Sequence, residues 1–361
     1  MLSSRKLGRR TLVGFALSLT LIIAACGSSS SDGGAADTSG ATDTSVGATD
    51  ASGPYFIYLP PTPIGGNPFL ELGWKGTQDA AVRLNGTSKM FESTDLNSRR
   101  ANLEAAIEEK PAIIVMNTFD FTDLSLEFAT ANPDQKFILI DACPDAPPSN
   151  LACGVFREYE GAYLLGIMAG SLTKSAKIGS VVALDIPFLH RYSDSFALGA
   201  KSVNPKIADS QVFIGGDSPF TDPARAKEQA LSLAAQGLDQ IFAAGAGSNG
   251  GVFEAATEKG IYAYGVDINE CPKAPGHIVD NMIKLVNVVV EQLIDKVLAG
   301  TAENFNSFGL KEGGMGVLAQ GDDVASSQCV IADHPEIITL VKAAAAKIIS
   351  GELVIPDPLA G

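Results

Sequence analysis

The stretch Leu238–Asp267, LDQIFAAGAGSNGGVFEAATEKGIYAYGVD, constrains the fold more than any other part of the chain. It reads as strand, glycine loop, helix and strand. Gln240 to Ala244 is a short apolar run, and Gly245, Gly247 and Gly250 after it spell G-x-G-x-x-G. Val252, Phe253 and Ala256 recur at helical spacing. Gly260 suits the left-handed residue that ends a helix. Ile261 to Val266 is the next strand, and it ends on Asp267. Parallel strands joined by a helix make a βαβ unit, and open α/β sheets bind ligands beyond the carboxyl ends of their strands. The glycine loop and Asp267 both occupy such ends. A small polar ligand is expected there.

The chain begins with a segment that does not belong to the fold. Arg5, Lys6, Arg9 and Arg10 form a positive region, followed by an apolar run from Thr11 to Ala25. That run has the length of a signal-peptide core and is short for a transmembrane helix. It ends in Ile23-Ala24-Ala25-Cys26, which resembles the bacterial lipobox, so Cys26 is the expected site of lipidation and residues 1–25 the leader. Residues 26–53 are rich in Gly, Ser, Ala, Thr and Asp. Such a composition buries too little apolar surface to order itself, and it reads as a tether from the membrane. Removing the first 25 residues removes four basic and no acidic residues, taking the formal charge from −15 to −19. So acidic a chain is not expected to bind nucleic acid or anionic lipid.

Of the five cysteines, four remain for the exported domain: Cys143, Cys153, Cys271 and Cys329. An even number in an exported protein suggests two disulfides. Among the three connectivities, the expectation is Cys143–Cys153 with Cys271–Cys329. No C-x-x-C occurs and there are three histidines, so neither a metal site nor a cofactor is expected. From about residue 54 onward, strand and helix patterns alternate, as in α/β lobes with parallel sheets. Asp141 ends the fourth strand pattern and is a second candidate acceptor. A helix is expected from about Val279 to Leu298, where Lys284, Asn287, Glu291 and Asp295 recur as a polar stripe. Arg157 and Glu158 fall where the chain is expected to pass between lobes.

Several segments carry a family resemblance. They are FREYEGAYLLGIMAG (Phe156–Gly170), TKSAKIGSV (Thr173–Val181), DPARAKEQALSLAAQGLDQIF (Asp222–Phe242), GLKEGGMGVL (Gly309–Leu318) and KIISGELVIPD (Lys347–Asp357). With the opening stretch they resemble the basic membrane protein family of substrate-binding lipoproteins, whose best-known branch binds purine nucleosides for an ABC importer. The resemblance implies a periplasmic-binding-protein type I fold: two doubly wound, Rossmann-like α/β lobes joined by a hinge. The expected first lobe is 54–155 plus about 279–305, and the second 156–278 plus about 306–361. It also implies an extracytoplasmic, lipid-anchored, monomeric receptor that captures a nucleoside-like solute and hands it to an ABC permease, without catalysis.

The resemblance assigns residues as well. Phe69 and Phe220, one from each lobe, would sandwich a base. Asp267 and Lys284 would hold a ribose, and backbone at Gly245 and Gly247 would let the ligand approach closely. The family's first loop usually carries an Asp three residues before its Phe. Here the run is Gly66-Asn67-Pro68-Phe69, so Asn67 offers an amide in place of that carboxylate. Two other readings use the same groups. G-x-G-x-x-G with Asp267 17 residues past Gly250 is also close to a dinucleotide fingerprint, as in a nicotinamide-dependent oxidoreductase. A receptor that senses its ligand without transporting it has the same sequence signature.

Cys26→Ser is expected to release the protein from membranes. Fractionation in high salt checks this: substituted protein that still sediments with membranes would refute a lipid anchor on Cys26.

Overall fold

The computed structural model describes residues 52–360, so the leader, Cys26 and nearly all of the tether lie outside the described residues. The chain first lays down β1 (Tyr55–Leu59), α1 (Pro68–Arg83), β2 (Thr87–Met90), α2 (Leu96–Glu108), β3 (Ile113–Asn117), α3 (Thr122–Ala131), β4 (Phe137–Ile140) and β5 (Leu151–Phe156). It continues with α4 (Glu158–Leu172), β6 (Lys177–Val182), α5 (Pro187–Val203), β7 (Ala208–Phe213), α6 (Pro223–Ala235), β8 (Gln240–Ala244), α7 (Asn249–Lys259), β9 (Tyr262–Asp267) and β10 (Ile278–Lys284). Last come α8 (Val286–Ala299), β11 (Phe305–Phe308), β12 (Met315–Val317) and α9 (Pro335–Ser350).

These strands form two six-stranded sheets, ordered β2-β1-β3-β4-β5-β11 and β7-β6-β8-β9-β10-β12. Both follow the 2-1-3-4-5 order of doubly wound folds. The first sheet is wholly parallel. In the second, only β12 runs antiparallel, against β10. Strands β3, β4 and β8 are buried at every residue, as expected of sheets covered on both faces.

The chain passes between the sheets three times: from β5 into α4, from β10 into α8, and from β11 into β12. Two expectations are corrected here. Residues 278–284 are a strand of the second sheet, not the start of a helix. Parallel pairing with β9 and antiparallel pairing with β12 bury it from both sides, and its polar residues find partners there. Asp280, for example, accepts from the amides of Leu318 and Ala319, each at 2.9 Å. The part of the late chain that packs on the first sheet therefore starts at α8 and runs through β11, whereas 279–284 lie in the second lobe.

Disulfides join Cys143 to Cys153 and Cys271 to Cys329, with Cα–Cα distances of 5.4 and 5.0 Å. The first ties the turn after β4 to β5. The second ties the turn after β9 to the segment that leads into α9. Helices α4 and α5 cross with their backbones in contact: a Cβ on Gly199 would stand 2.0 Å from the Tyr163 carbonyl oxygen. That oxygen belongs to a helix backbone and has no room to retreat. Gly199→Leu is expected to cost about 3 kcal/mol or more. Urea denaturation of the mature domain checks this, and an unchanged midpoint would show that the two helices separate freely.

Candidate ligand site

The carboxyl ends of both sheets face one cavity of about 740 Å³ between the lobes. That volume lies within the usual range for small-molecule sites. Asn67, Phe69, Asp141, Phe220, Asp267 and Lys284 all line it. The lobes touch on two sides of it. Phe119, after β3, meets Phe188 of α5 with ring centroids 6.2 Å apart. On the other side, loop backbone of the first lobe reaches the glycine loop.

The two aspartates occupy matching places. Asp141 directly follows β4 and Asp267 ends β9, the fourth strand of each lobe, with φ of 72° and 69°. Aspartate is among the few non-glycine residues that tolerate this left-handed conformation. The turn takes the backbone out of the sheet just where the side chain enters the cavity.

Lys284, the last residue of β10, is 1% exposed. Its ammonium donates to Asp141 Oδ1 at 2.5 Å and to the Tyr192 hydroxyl at 3.1 Å. It also lies 2.9 Å from Glu158 Oε1. The second Glu158 oxygen is 3.5 Å from Arg191, and neither oxygen receives an aligned hydrogen bond among the described residues, so both contacts are purely ionic. The rings of Phe156 and Phe69 pack against the ammonium, with centroids at 4.6 and 4.8 Å. Burial alone would lower the Lys284 pKa, but the Asp141 and Glu158 carboxylates hold it well above its usual value. A ligand-facing lysine on a long helix was expected; a cavity-lining lysine buried at a strand end is found.

Asp267 differs from Asp141. It is 5% exposed and lines the cavity, and among the described residues charge–charge interactions with Lys284, Glu270 and Glu158, not hydrogen bonds, are what act on its carboxylate. Burial pushes its pKa up to about 7, against the pull of Lys284. The site therefore holds an acceptor that no protein group satisfies.

Two other expectations are corrected. Gly245 and Gly247 do not form the cavity wall; Ala244 and Ala246 do. What comes close to Gly247 is protein backbone: a Cβ there would lie 2.4 Å from the Gly66 carbonyl oxygen of the first lobe. The Gly245 amide donates to Asn249 Oδ1 at 2.8 Å, and Asn249 donates in turn to buried Glu270 at 2.9 Å, which fixes the loop from below. Asn67 spends its side-chain oxygen as the N-cap of α1, accepting from the Phe69 amide at 3.2 Å. Only its amide hydrogens remain for a ligand.

The structure also brings in Phe188, Tyr192, Arg99 and Asp120. Asp120 stood near the end of a strand pattern in the sequence. Phe188 and Tyr192 lie in the first turns of a helix that follows a strand, a position that itself marks a cavity-facing side chain. Arg157, read as an inter-lobe residue, joins the first crossing to the third: it pairs with Glu160 at 2.6 Å and with Glu312.

A family model for ABC transporter substrate-binding proteins of the PnrA-like type, the Bmp model, matches residues 57–357. The chain belongs to the Bmp family. It is similar to the ABC transporter nucleoside-binding protein BmpA of Lactococcus lactis, at 26% identity over 95% of this chain and 97% of that one. It is also similar to the CD4+ T-cell-stimulating antigen of Listeria innocua, at 25% identity over 95% and 98%. Among solved structures it resembles an ABC transporter solute-binding protein from Aeropyrum pernix K1, with a TM-score of 0.72 and 25% identity over 84% and 93%. As a Bmp-family protein with the type I periplasmic-binding fold, it is an extracytoplasmic solute-binding protein of an ABC transporter, with a small-molecule ligand and a membrane permease as partners. The family is one of binding proteins rather than enzymes.

The Asp267 carboxyl is harder to ionise in the fold than in the unfolded chain, so it stabilises the unliganded protein at low pH and that stability is lost as pH rises toward and through 7. Asp267→Asn is expected to remove this slope. Relative to the variant, the wild type should lose roughly 2–3 kcal/mol between pH 5 and pH 8. Denaturant titrations at several pH values check it, and parallel profiles would show that Asp267 is ionised throughout.

Proposed function

We propose that this protein captures nucleosides between its lobes, as a lipid-anchored monomer held at the membrane through Cys26, and delivers them to an ABC permease. One observation carries the reading: the Asp267 carboxylate, with no hydrogen-bond donor among the described residues, lines an inter-lobe cavity together with aromatic side chains from both lobes. Ribose brings hydroxyl donors to such an acceptor. Its oxygens would take hydrogen bonds from Lys284, whose ammonium is already fixed by Asp141. A flat base suits Phe69 and Phe220, because stacking gives large contact at little side-chain entropy cost. The name of the Lactococcus lactis relative, a nucleoside-binding protein, supports the same ligand class. The Rossmann-type reading of the glycine loop loses support, because Gly247 packs against first-lobe backbone and Ala246, not a loop glycine, faces the cavity.

Calorimetry tests the proposal. Nucleosides are expected to bind, with the free base and free ribose each much weaker. Asp267→Ala should cost roughly 1.5–3 kcal/mol for a charge-assisted hydrogen bond, about 10- to 150-fold in affinity. Phe69→Ala should cost on the order of 1–3 kcal/mol through lost stacking. A sugar that binds tightly while nucleosides give no heat, with Phe69→Ala unaffected, would remove the nucleoside and leave a receptor for another solute.

A further inference from the structure

Behind the cavity floor, an ion pair ties the end of the chain to the site. Arg191 of α5 holds Asp357 bidentately, from Nε at 2.9 Å and from Nη2 at 2.6 Å. Asp357 belongs to the tail that follows α9, and its carboxylate also accepts from the Leu359 amide at 3.0 Å. Two residues before it, Ile355 is buried. The third guanidinium nitrogen of Arg191, Nη1, lies 3.5 Å from Glu158 Oε2. Neither Glu158, Arg191 nor Asp357 lines the cavity, yet Arg191 shares its helix with Phe188 and Tyr192, which do.

The hydrogens of Lys284 explain what this arrangement leaves open. An ammonium carries three N–H donors. Asp141 and the Tyr192 hydroxyl take two of them in aligned bonds. Glu158 Oε1 lies 2.9 Å from the same nitrogen but receives no aligned hydrogen bond. The third donor is therefore uncommitted, on a side chain that lines the cavity. Glu158 is fully buried, and a buried carboxylate without a hydrogen bond is drawn strongly to any donor in reach. Arg191 attracts its second oxygen and so balances the pull of Lys284 on the first.

We propose that Arg191, anchored by Asp357, is a positioning residue for ligand binding: it keeps Glu158 from claiming the third hydrogen of Lys284 and leaves that hydrogen for a ligand hydroxyl. The inference rests on the nucleoside reading above. Without the guanidinium, Glu158 faces one cation instead of two, and its carboxylate turns to meet Lys284 in an aligned, charge-assisted bond. Lys284 then has no donor left for the ribose. The tail after α9 thereby belongs to the binding machinery although it does not line the cavity.

Calorimetry on the wild type first ranks inosine, adenosine, uridine and cytidine. The tightest is then compared with its 2′-, 3′- and 5′-deoxy analogues on wild type, Arg191→Met, Arg191→Lys and Asp357→Asn, with melting curves to confirm folding. In the wild type, removing the hydroxyl that Lys284 serves should weaken binding about tenfold or more. Arg191→Met should weaken the parent nucleoside but not the analogue lacking that hydroxyl, so one penalty shrinks while the other two stay. Arg191→Lys should restore part of it, because it keeps a charge beside Glu158 and loses the fork that grips Asp357. Asp357→Asn should give a smaller loss of the same pattern, and it carries the comparison should Arg191→Met not fold. Equal weakening of the parent and all three analogues, unchanged affinities, or a wild type indifferent to every hydroxyl would overturn the assignment while leaving the nucleoside reading intact. If none of the four nucleosides binds and another solute does, both fall together.

Discussion

The buried ammonium of Lys284 is the contact on which the two lobes and the cavity jointly depend. A charge removed from water costs several kcal/mol unless other charges and hydrogen bonds replace the solvent. Here the replacements come from different parts of the chain. Asp141 comes from the first sheet, Glu158 from the residue that opens α4 just past a crossing, and Tyr192 from α5. Lys284 itself sits immediately before another crossing. One side chain thus fixes the base of the hinge and the floor of the cavity together. The count of charges matters as well. Asp141, Glu158 and Asp267 surround one lysine, with Arg191 behind Glu158. Among the described residues Asp267, like Glu158, has no hydrogen-bond donor, and Asp267 lines the cavity; an acceptor-rich floor favours a neutral solute bearing hydroxyl hydrogens over an anion.

Much of the architecture was legible because it rests on local rules. The apolar run, glycine loop and αL glycine of 238–267 specify a βαβ unit, and the structure contains β8, α7 and β9 there, with Gly260 at φ 65°. Both aspartates were legible as strand ends. The failures have a common cause. Residues 278–284 are apolar and polar in a mixture that suits a helix when read with VNVVVEQLIDKVLA. Only parallel pairing with β9 on one side and antiparallel pairing with β12 on the other make them a strand. Likewise β11 is a four-residue edge strand that pairs with β5 across roughly 150 residues of sequence, which no local pattern announces.

Within the site, the residues that sequence reasoning placed by position reached the cavity, and those it placed by motif did not all do so. The glycine loop is the clearest case. A G-x-G-x-x-G spelling shows that something must come near the backbone, not what comes near. At Gly247 the space goes to the carbonyl of Gly66. Arg99 was unremarkable in sequence and Asp120 was legible only as a residue after the third strand, because their pairing needs α2 and the turn after β3 to be set side by side first. The two lobes share no visible sequence repeat, yet each repeats a left-handed aspartate at its fourth strand and a left-handed residue, Thr118 or Ala246, after its third. Geometry is repeated where side-chain identity is not.

The crossings between lobes also govern the order in which the molecule can be assembled as the chain is synthesised. The first sheet lacks its edge strand β11, and α8 is absent from β4 and β5, until nearly the whole second lobe has emerged. Neither lobe is a continuous piece of chain, so an amino-terminal fragment cannot complete its own core. Contacts of such long sequence separation form late and slowly. The topology that lets two lobes hinge about one floor thereby makes the completion of each lobe's core depend on the last part of the chain.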